Sequence, residues 1–156
     1  MDRISLITCA RHRPDKLQAL LNSLIETTDS LSEVEFVFGV EHDDSPVINV
    51  IETWRHDHKE LKVVLRLWNP DEVKFTLNQK YNMLADTASY ELISGCGDDL
   101  EFKTHSWDQL LKYEFAQYPD RILLAWVNDG AGAENLPRHF TVHRNWINVV
   151  GSYAVR

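Results

Sequence analysis

The sequence of 156 residues has little of what marks several common protein classes. Its two cysteines are too few for a disulfide framework, so we expect a reducing, cytoplasmic location. No apolar run reaches about 18 residues, which predicts that no segment spans a membrane. Acidic residues outnumber basic ones, and the net charge of −8 argues against a general nucleic-acid-binding surface, because such a surface must be basic.

Several short motifs that identify a chemistry are also missing from the sequence. There is no G-x-S-x-G nucleophile elbow, Walker lysine loop, G-x-G-x-x-G fingerprint or zinc-type Cys/His spacing. The first 13 residues contain only a short apolar stretch and no small-residue cleavage site, which predicts a strand and not a signal peptide. Function must therefore be inferred from the order and position of several weaker signals.

Short apolar segments alternate with amphipathic ones along the whole chain. The predicted strands are Ile4–Ala10, Val34–Val40, Leu61–Trp68, Tyr90–Cys96, Arg121–Asn128 and a short one at 139–144. Helices follow most of them, and a short last helix ends at Gly151. The predicted helix caps are Ser45, Thr76 and either Thr104 or Ser106. This alternation predicts one α/β domain over residues 1–156, with a mainly parallel central sheet and helices on both faces.

Acidic side chains follow the predicted strands at the edge where ligands bind in such folds. Asp98 and Asp99 are adjacent and come directly after a buried strand, so their mutual repulsion requires a compensating partner. Carboxylate oxygens suit Mg²⁺ or Mn²⁺, and Gly95 and Gly97 would allow close approach of a ligand. The alternative is that one aspartate caps the next turn while the other is solvated.

Three further groups are candidates for binding a nucleotide. Asp43 and Asp44 follow the second strand and could accept hydrogen bonds from a nucleobase or ribose, or could simply cap the next helix. Thr8, Arg11 and Arg13 follow the first strand. The arginines could hold phosphate oxygens, or could belong to a solvated loop. On the helix before the fourth strand, Lys80 could reach a diphosphate, with Asn78 and Asn82 beside it, or could face solvent.

Two histidines late in the chain are candidate metal ligands. His139 and His143 are four residues apart, a spacing that places them on one face of a strand. They could converge on a ligand, or could be ordinary, partly exposed histidines.

The order of these segments resembles the GT-A glycosyltransferases, within them the family-2-like nucleotide-diphospho-sugar transferases. The resemblance rests on "RHRPDKLQALLNSL" after the first strand, an acidic pair after the second, and "LNQKYNMLAD" before "GCGDDLEF". It matches Asp43 and Asp44 to the family's base-binding aspartates and Asn82 to its helical asparagine. It matches Cys96–Asp98 to the family's Asp-x-Asp metal motif, with cysteine replacing the first aspartate and Asp99 next in the chain.

The resemblance implies metal-dependent transfer of a sugar from a nucleotide-diphosphate sugar to an acceptor hydroxyl. The implied nucleotide-sugar ligands are Thr8, Arg11, Asp43, Asp44, Lys80, Asn82 and Asp98. The implied ligands of Mn²⁺ or Mg²⁺ are Asp98, Asp99 and His143. Asp129 is the candidate catalytic base, on position alone.

Two other functions are consistent with the same sequence. Members of the family usually continue into an acceptor-binding part that carries the catalytic base, so the chain is expected to be a minimal or truncated core. One alternative is thus a nucleotide-sugar-binding module without turnover. The other alternative is a nucleotidyltransferase, which is expected to have a glycine- and basic-rich loop after the first strand. The segment "CARHRPD" at that position contains no glycine, which disfavours this alternative.

Overall fold

The computed structural model describes residues 2–69, 75–128, 130 and 137–154. The helices are α1 (Pro14–Thr27), α2 (Ser45–Asp57), α3 (Leu77–Thr87), α4 (Trp107–Ala116) and α5 (Arg144–Val150), with a 3₁₀ turn at Leu31–Glu33. The strands are β1 (Ile4–Ala10), β2 (Val34–Glu41), β3 (Lys62–Trp68), β4 (Leu92–Gly97), β5 (Leu124–Trp126) and β6 (Phe140–His143). Within these ranges, no helix is long and apolar enough to cross a membrane.

The strands form one six-stranded sheet in the order β3-β2-β1-β4-β6-β5. β1 to β4 are parallel, whereas β6 runs antiparallel to both of its neighbours, β4 and β5. The predicted α/β fold with a mainly parallel sheet is confirmed. The fifth strand is shorter than predicted, three residues within 121–128, because it lies at the edge of the sheet and pairs with β6, which has only four residues.

Both faces of the sheet are covered by helices. Along β1, Ile4, Leu6 and Ala10 point to one face and pack with α1, α2 and α4. Ile7 points to the other face, where α3 and α5 pack. Four leucines of α1 are fully buried: Leu17, Leu20, Leu21 and Leu24. Burial of each of these side chains stabilises the fold by roughly 2 kcal/mol. Because helices cover both faces of the sheet, the parallel strands are apolar on both sides instead of alternating.

The ends of the helices agree only partly with the predicted caps. Thr76 caps α3 in a capping box with Gln79, as predicted. For α2 the capping side chain is Asp44 and not Ser45. Ser106 occupies the position before α4, but it has a left-handed backbone (φ 58°) and makes no capping hydrogen bond. Gly151 ends α5 at φ 89°, a conformation that favours glycine.

Candidate functional site

The loop after β1 joins the acidic segments that follow β2 and β4. The backbone N–H of Arg11 donates to Asp98 Oδ2 over 3.1 Å, and that of His12 donates to Asp44 Oδ2 over 2.6 Å. Because β1 pairs with β2 on one side and β4 on the other, all three ends lie at the carboxyl edge of the sheet. The acidic residues that are far apart in sequence thus share one rim.

Arg13 compensates the adjacent charges of Asp98 and Asp99. Its Nη1 donates to Asp99 Oδ2 over 2.6 Å, and its Nη2 donates to Asp98 Oδ1. Asp98 is 1% exposed, and burial raises the pKa of its carboxyl, opposed by the backbone N–H of Arg11 and the charge of Arg13. Asp99 is half-exposed, so the pair presents one buried and one accessible carboxylate.

Beside this pair lies a cleft of about 260 Å³. Its wall includes the basic side chains of Arg11, Arg13 and Lys80. Glu41, the last residue of β2, is buried between two of them: its Oε1 lies 2.9 Å from Lys80 Nζ, and its Oε2 lies 2.9 Å from Arg11 Nε. The cleft therefore combines three cationic groups with buried carboxylates, an arrangement suited to an anionic ligand that also carries hydrogen-bond donors.

Sequence reasoning missed Glu41, although a signal for it existed. The predicted strand ends at Val40, and the candidate ligands after it are Asp43 and Asp44. The available signal is an acidic residue directly after an apolar strand, on the face opposite Phe38 and Val40.

The indole of Trp68 lies against the backbone of β2 on the cleft side. A Cβ added to Gly39 would lie 2.1 Å from Trp68 Cη2, closer than any real contact. Both residues line the cleft. Gly39 is thus required for the close approach of the ring.

Substituting Gly39→Ala is expected to displace the Trp68 ring and lower stability by about 2 kcal/mol, since overpacking forces side-chain shifts. Thermal unfolding monitored by tryptophan fluorescence would measure the effect. The double variant Gly39→Ala/Trp68→Leu should recover most of the loss. Equal stability of wild type and Gly39→Ala would contradict this account.

Several predicted ligands have other partners inside the fold. Thr8 is fully buried, and its Oγ1 lies 2.9 Å from Cys96 Sγ, so it offers no surface to a ligand. Asp44 is buried, and its carboxylate accepts hydrogen bonds from the backbone N–H groups of His12 and Val47. Asp43 is exposed in the adjacent loop.

Asn82 makes two hydrogen bonds to the backbone of Ala154, of 3.1 and 2.8 Å. Its amide therefore fastens the C-terminal segment to α3. Of the residues predicted to contact the nucleotide sugar, the structure brings Arg11, Lys80 and Asp98 into the cleft.

His143 cannot complete a site with Asp98 and Asp99, which corrects the sequence prediction. It pairs with Leu92 at the amino end of β4, whereas Asp98 follows the carboxyl end of that strand. Four residues of strand span about 13 Å, so His139 and His143 do not converge. His139 is the one at the acidic rim, where its Nδ1 accepts a hydrogen bond of 3.3 Å from the Gly97 N–H.

A larger metal-binding cluster is not evident in the described ranges. No group of three or more His, Cys, Asp or Glu side chains there is arranged to hold a metal ion. Asp129 lies outside the described residues, so its assignment as a base stays a prediction.

Comparison with known proteins depends on structure, because no protein-family model and no curated protein sequence matches the chain. A mannosyltransferase from Pyrobaculum calidifontis, PcManGT, in complex with GDP-Man and Mn²⁺, superposes with a TM-score of 0.78 at 12% identity, over 97% of this chain and 47% of that one. TarS 1–349 from S. aureus with UDP-GlcNAc superposes with a TM-score of 0.68 at 12% identity, over 96% of this chain and 47% of that one. The chain has a GT-A-like glycosyltransferase fold.

The chain spans about half the length of these two structures. A third structure, TarS 1–349 in complex with UDP, is covered to 49% of its length and superposes with a TM-score of 0.69. At these identities the likeness establishes the shared fold, and the chemistry of the cleft must be argued from the chain's own side chains.

Proposed function

We propose that the protein binds a nucleotide-diphosphate sugar and transfers the sugar to an acceptor hydroxyl. The observation that carries the proposal is the Asp98–Asp99 pair beside a cleft lined by Arg11, Arg13 and Lys80. This cleft lies at the carboxyl edge of a GT-A-like sheet, where α/β folds bind ligands. Structural neighbours with this fold are described as bound to GDP-Man with Mn²⁺, to UDP and to UDP-GlcNAc, which supports the substrate class.

The acidic pair fits a divalent cation. One oxygen from each carboxylate points at the same cation, the guanidinium of Arg13, so the two donors already converge on one place. Mg²⁺ and Mn²⁺ take oxygen ligands and keep positions for water and substrate phosphates, which suits a site with two protein carboxylates. When bound, the cation would act as a Lewis acid toward the leaving diphosphate.

The chain's own residues then have distinct tasks. Arg11 and Lys80 lie in the cleft wall and would donate hydrogen bonds to phosphate oxygens. Glu41, buried between them, would accept from the ribose or base and hold both cations in place. The Trp68 ring would form an apolar wall for the nucleoside. Asp129 would take the proton of the acceptor hydroxyl.

A panel of UDP and GDP, each with and without Mn²⁺, tests binding by thermal unfolding. A ligand at about 100 times its Kd stabilises the folded state by about 2.7 kcal/mol, which corresponds to a rise in Tm of roughly 5–10 °C for a chain of this size. The variant Lys80→Met should lose most of this rise, and Lys103→Ala, an exposed site outside the cleft, should keep it. No rise with any diphosphate would overturn the proposal.

Incubation with UDP- and GDP-sugars and Mn²⁺, followed by assay of free nucleoside diphosphate, tests turnover. Release supports the transferase. A rise in Tm without release, even with acceptor sugars added, would instead support a nucleotide-sugar-binding module.

A further inference from the structure

We propose that Arg13 is an exchangeable counter-cation of the Asp98–Asp99 pair. In the free protein its guanidinium holds both carboxylates; when a divalent cation arrives, Arg13 releases them and turns to the diphosphate. This inference rests on the proposed function and adds a specific role for a residue that otherwise is only one of three cations in the cleft.

The geometry of the contact defines the competition. Arg13 places one terminal nitrogen on each aspartate, so its planar guanidinium bridges the two carboxylates with two charge-assisted hydrogen bonds. The guanidinium therefore occupies the point at which both carboxylates are aimed. A divalent cation bound there would bring three positive charges against two negative ones within a few ångströms, so Arg13 and the cation exclude each other.

The backbone around Arg13 is fixed, and its side chain is the part that can move. Arg11 and His12 are tied by their N–H groups to Asp98 and Asp44, and His12 has a left-handed backbone with φ 55°. The carbonyl of Arg13 accepts the N–H of Leu17 in the first turn of α1, over 3.0 Å. Its side chain is nevertheless 50% exposed, so it can leave the two carboxylates and turn toward a ligand in the cleft without any change in the fold.

The other two cationic side chains of the cleft, Arg11 and Lys80, pair with a different carboxylate. Arg11 and Lys80 are each 2.9 Å from an oxygen of the buried Glu41, which stays in place whether or not a divalent cation binds. A cation entering between Asp98 and Asp99 would thus displace Arg13 and leave Arg11 paired. That difference makes Arg11 the matched control.

Titration of the full chain with Mn²⁺, followed by the electron paramagnetic resonance signal of free Mn²⁺, tests the exchange without any need for activity. Without nucleotide, Arg13→Gln should bind Mn²⁺ about tenfold more tightly than wild type, because the competing charge is gone. Arg11→Gln should stay within about twofold of wild type, and Arg13→Lys, which keeps the charge, within about threefold. With saturating Mn²⁺, the Kd of UDP or GDP should instead rise about tenfold in Arg13→Gln, since a charge-assisted phosphate contact is lost.

The opposite signs of the two effects separate exchange from a structural role. If Arg13→Gln binds Mn²⁺ no more tightly than wild type while both bind it, the exchange is refuted and the proposed function survives. If Mn²⁺ binds neither protein, both the exchange and the metal site fail. Circular dichroism of each variant checks the fold, and Arg13→Lys provides a second reading if Arg13→Gln is unstable.

Discussion

Replacing Asp98 by asparagine is expected to reduce release of nucleoside diphosphate about a thousandfold. A cation held by this carboxylate would supply several kcal/mol of charge stabilisation in the transition state, and about 4 kcal/mol corresponds to three orders of magnitude in rate. Asparagine retains the shape of the side chain and an oxygen that can accept from the N–H of Arg11. The loss should therefore come from the missing charge, and the rate of release from the best sugar donor with Mn²⁺ measures it.

The same substitution should leave the fold nearly unchanged. Burial raises the pKa of Asp98, which means that the charged form is unfavourable to the folded state of the free protein. The new NH₂ group would face Arg13, whose half-exposed side chain can turn away into solvent, so we expect the Tm of Asp98→Asn to stay within a few degrees of wild type. The control Asp57→Asn, at an exposed site at the end of α2, should change neither rate nor Tm. A rate in Asp98→Asn equal to wild type would refute the role of this carboxylate.

Much of the fold could be predicted because its signals are local. The residues that form the apolar run of β1 are consecutive, and Thr76 caps α3 together with a residue only three positions later. The strand–helix alternation follows from signals of this short range. The position of β6 was not available in this way. It depends on which strand fills the edge of β4, and that choice is made by packing and pairing across about 50 residues of chain, such as Ile93 with Val142.

The residues of the candidate site also differ in whether local sequence or long-range pairing reveals them. The acidic pair was visible because Asp98 and Asp99 are adjacent, but their partner Arg13 is 85 residues from Asp98 in sequence. Glu41 was hidden within a strand. His143 has a side chain that suits a metal ligand, but it lies at the opposite end of the sheet from Asp98. Its position depends on the antiparallel direction of β6, which the local sequence does not reveal. Residue type therefore identified the rim of the cleft, and long-range pairing determined which side chains share it.

Among the buried charged residues that the structure describes, Glu35 is the one whose substitution we expect to lower the free energy of unfolding most. It lies at the amino end of β2, 1% exposed, and its carboxylate gathers donors from three neighbouring segments. Ser5 on β1 donates to it over 2.5 Å, Ser89 Oγ over 2.6 Å and Tyr90 N–H over 3.2 Å, and Lys62 Nζ on β3 is 2.9 Å away. Because a buried carboxylate with these partners cannot be replaced by an amide without placing NH₂ against donors, Glu35→Gln should lower stability by about 3 kcal/mol.

The acid dependence of this loss gives the sharper test. Burial alone would raise the pKa of Glu35, but the hydrogen bonds from Ser5 and Ser89 and the ion pair with Lys62 lower it from 4.5 to about 2. A depressed pKa stabilises the folded state above pH 4.5, and the contribution disappears as the pH falls from 4.5 toward 2. Urea unfolding of wild type and Glu35→Gln should therefore differ by about 3 kcal/mol at pH 7 and converge toward pH 2. Glu52→Gln, which removes an exposed pair with Arg55, should cost at most about 0.5 kcal/mol at any pH. A constant difference between wild type and Glu35→Gln across this range would mean that shape, and not the charge of Glu35, holds β2 to the start of β4.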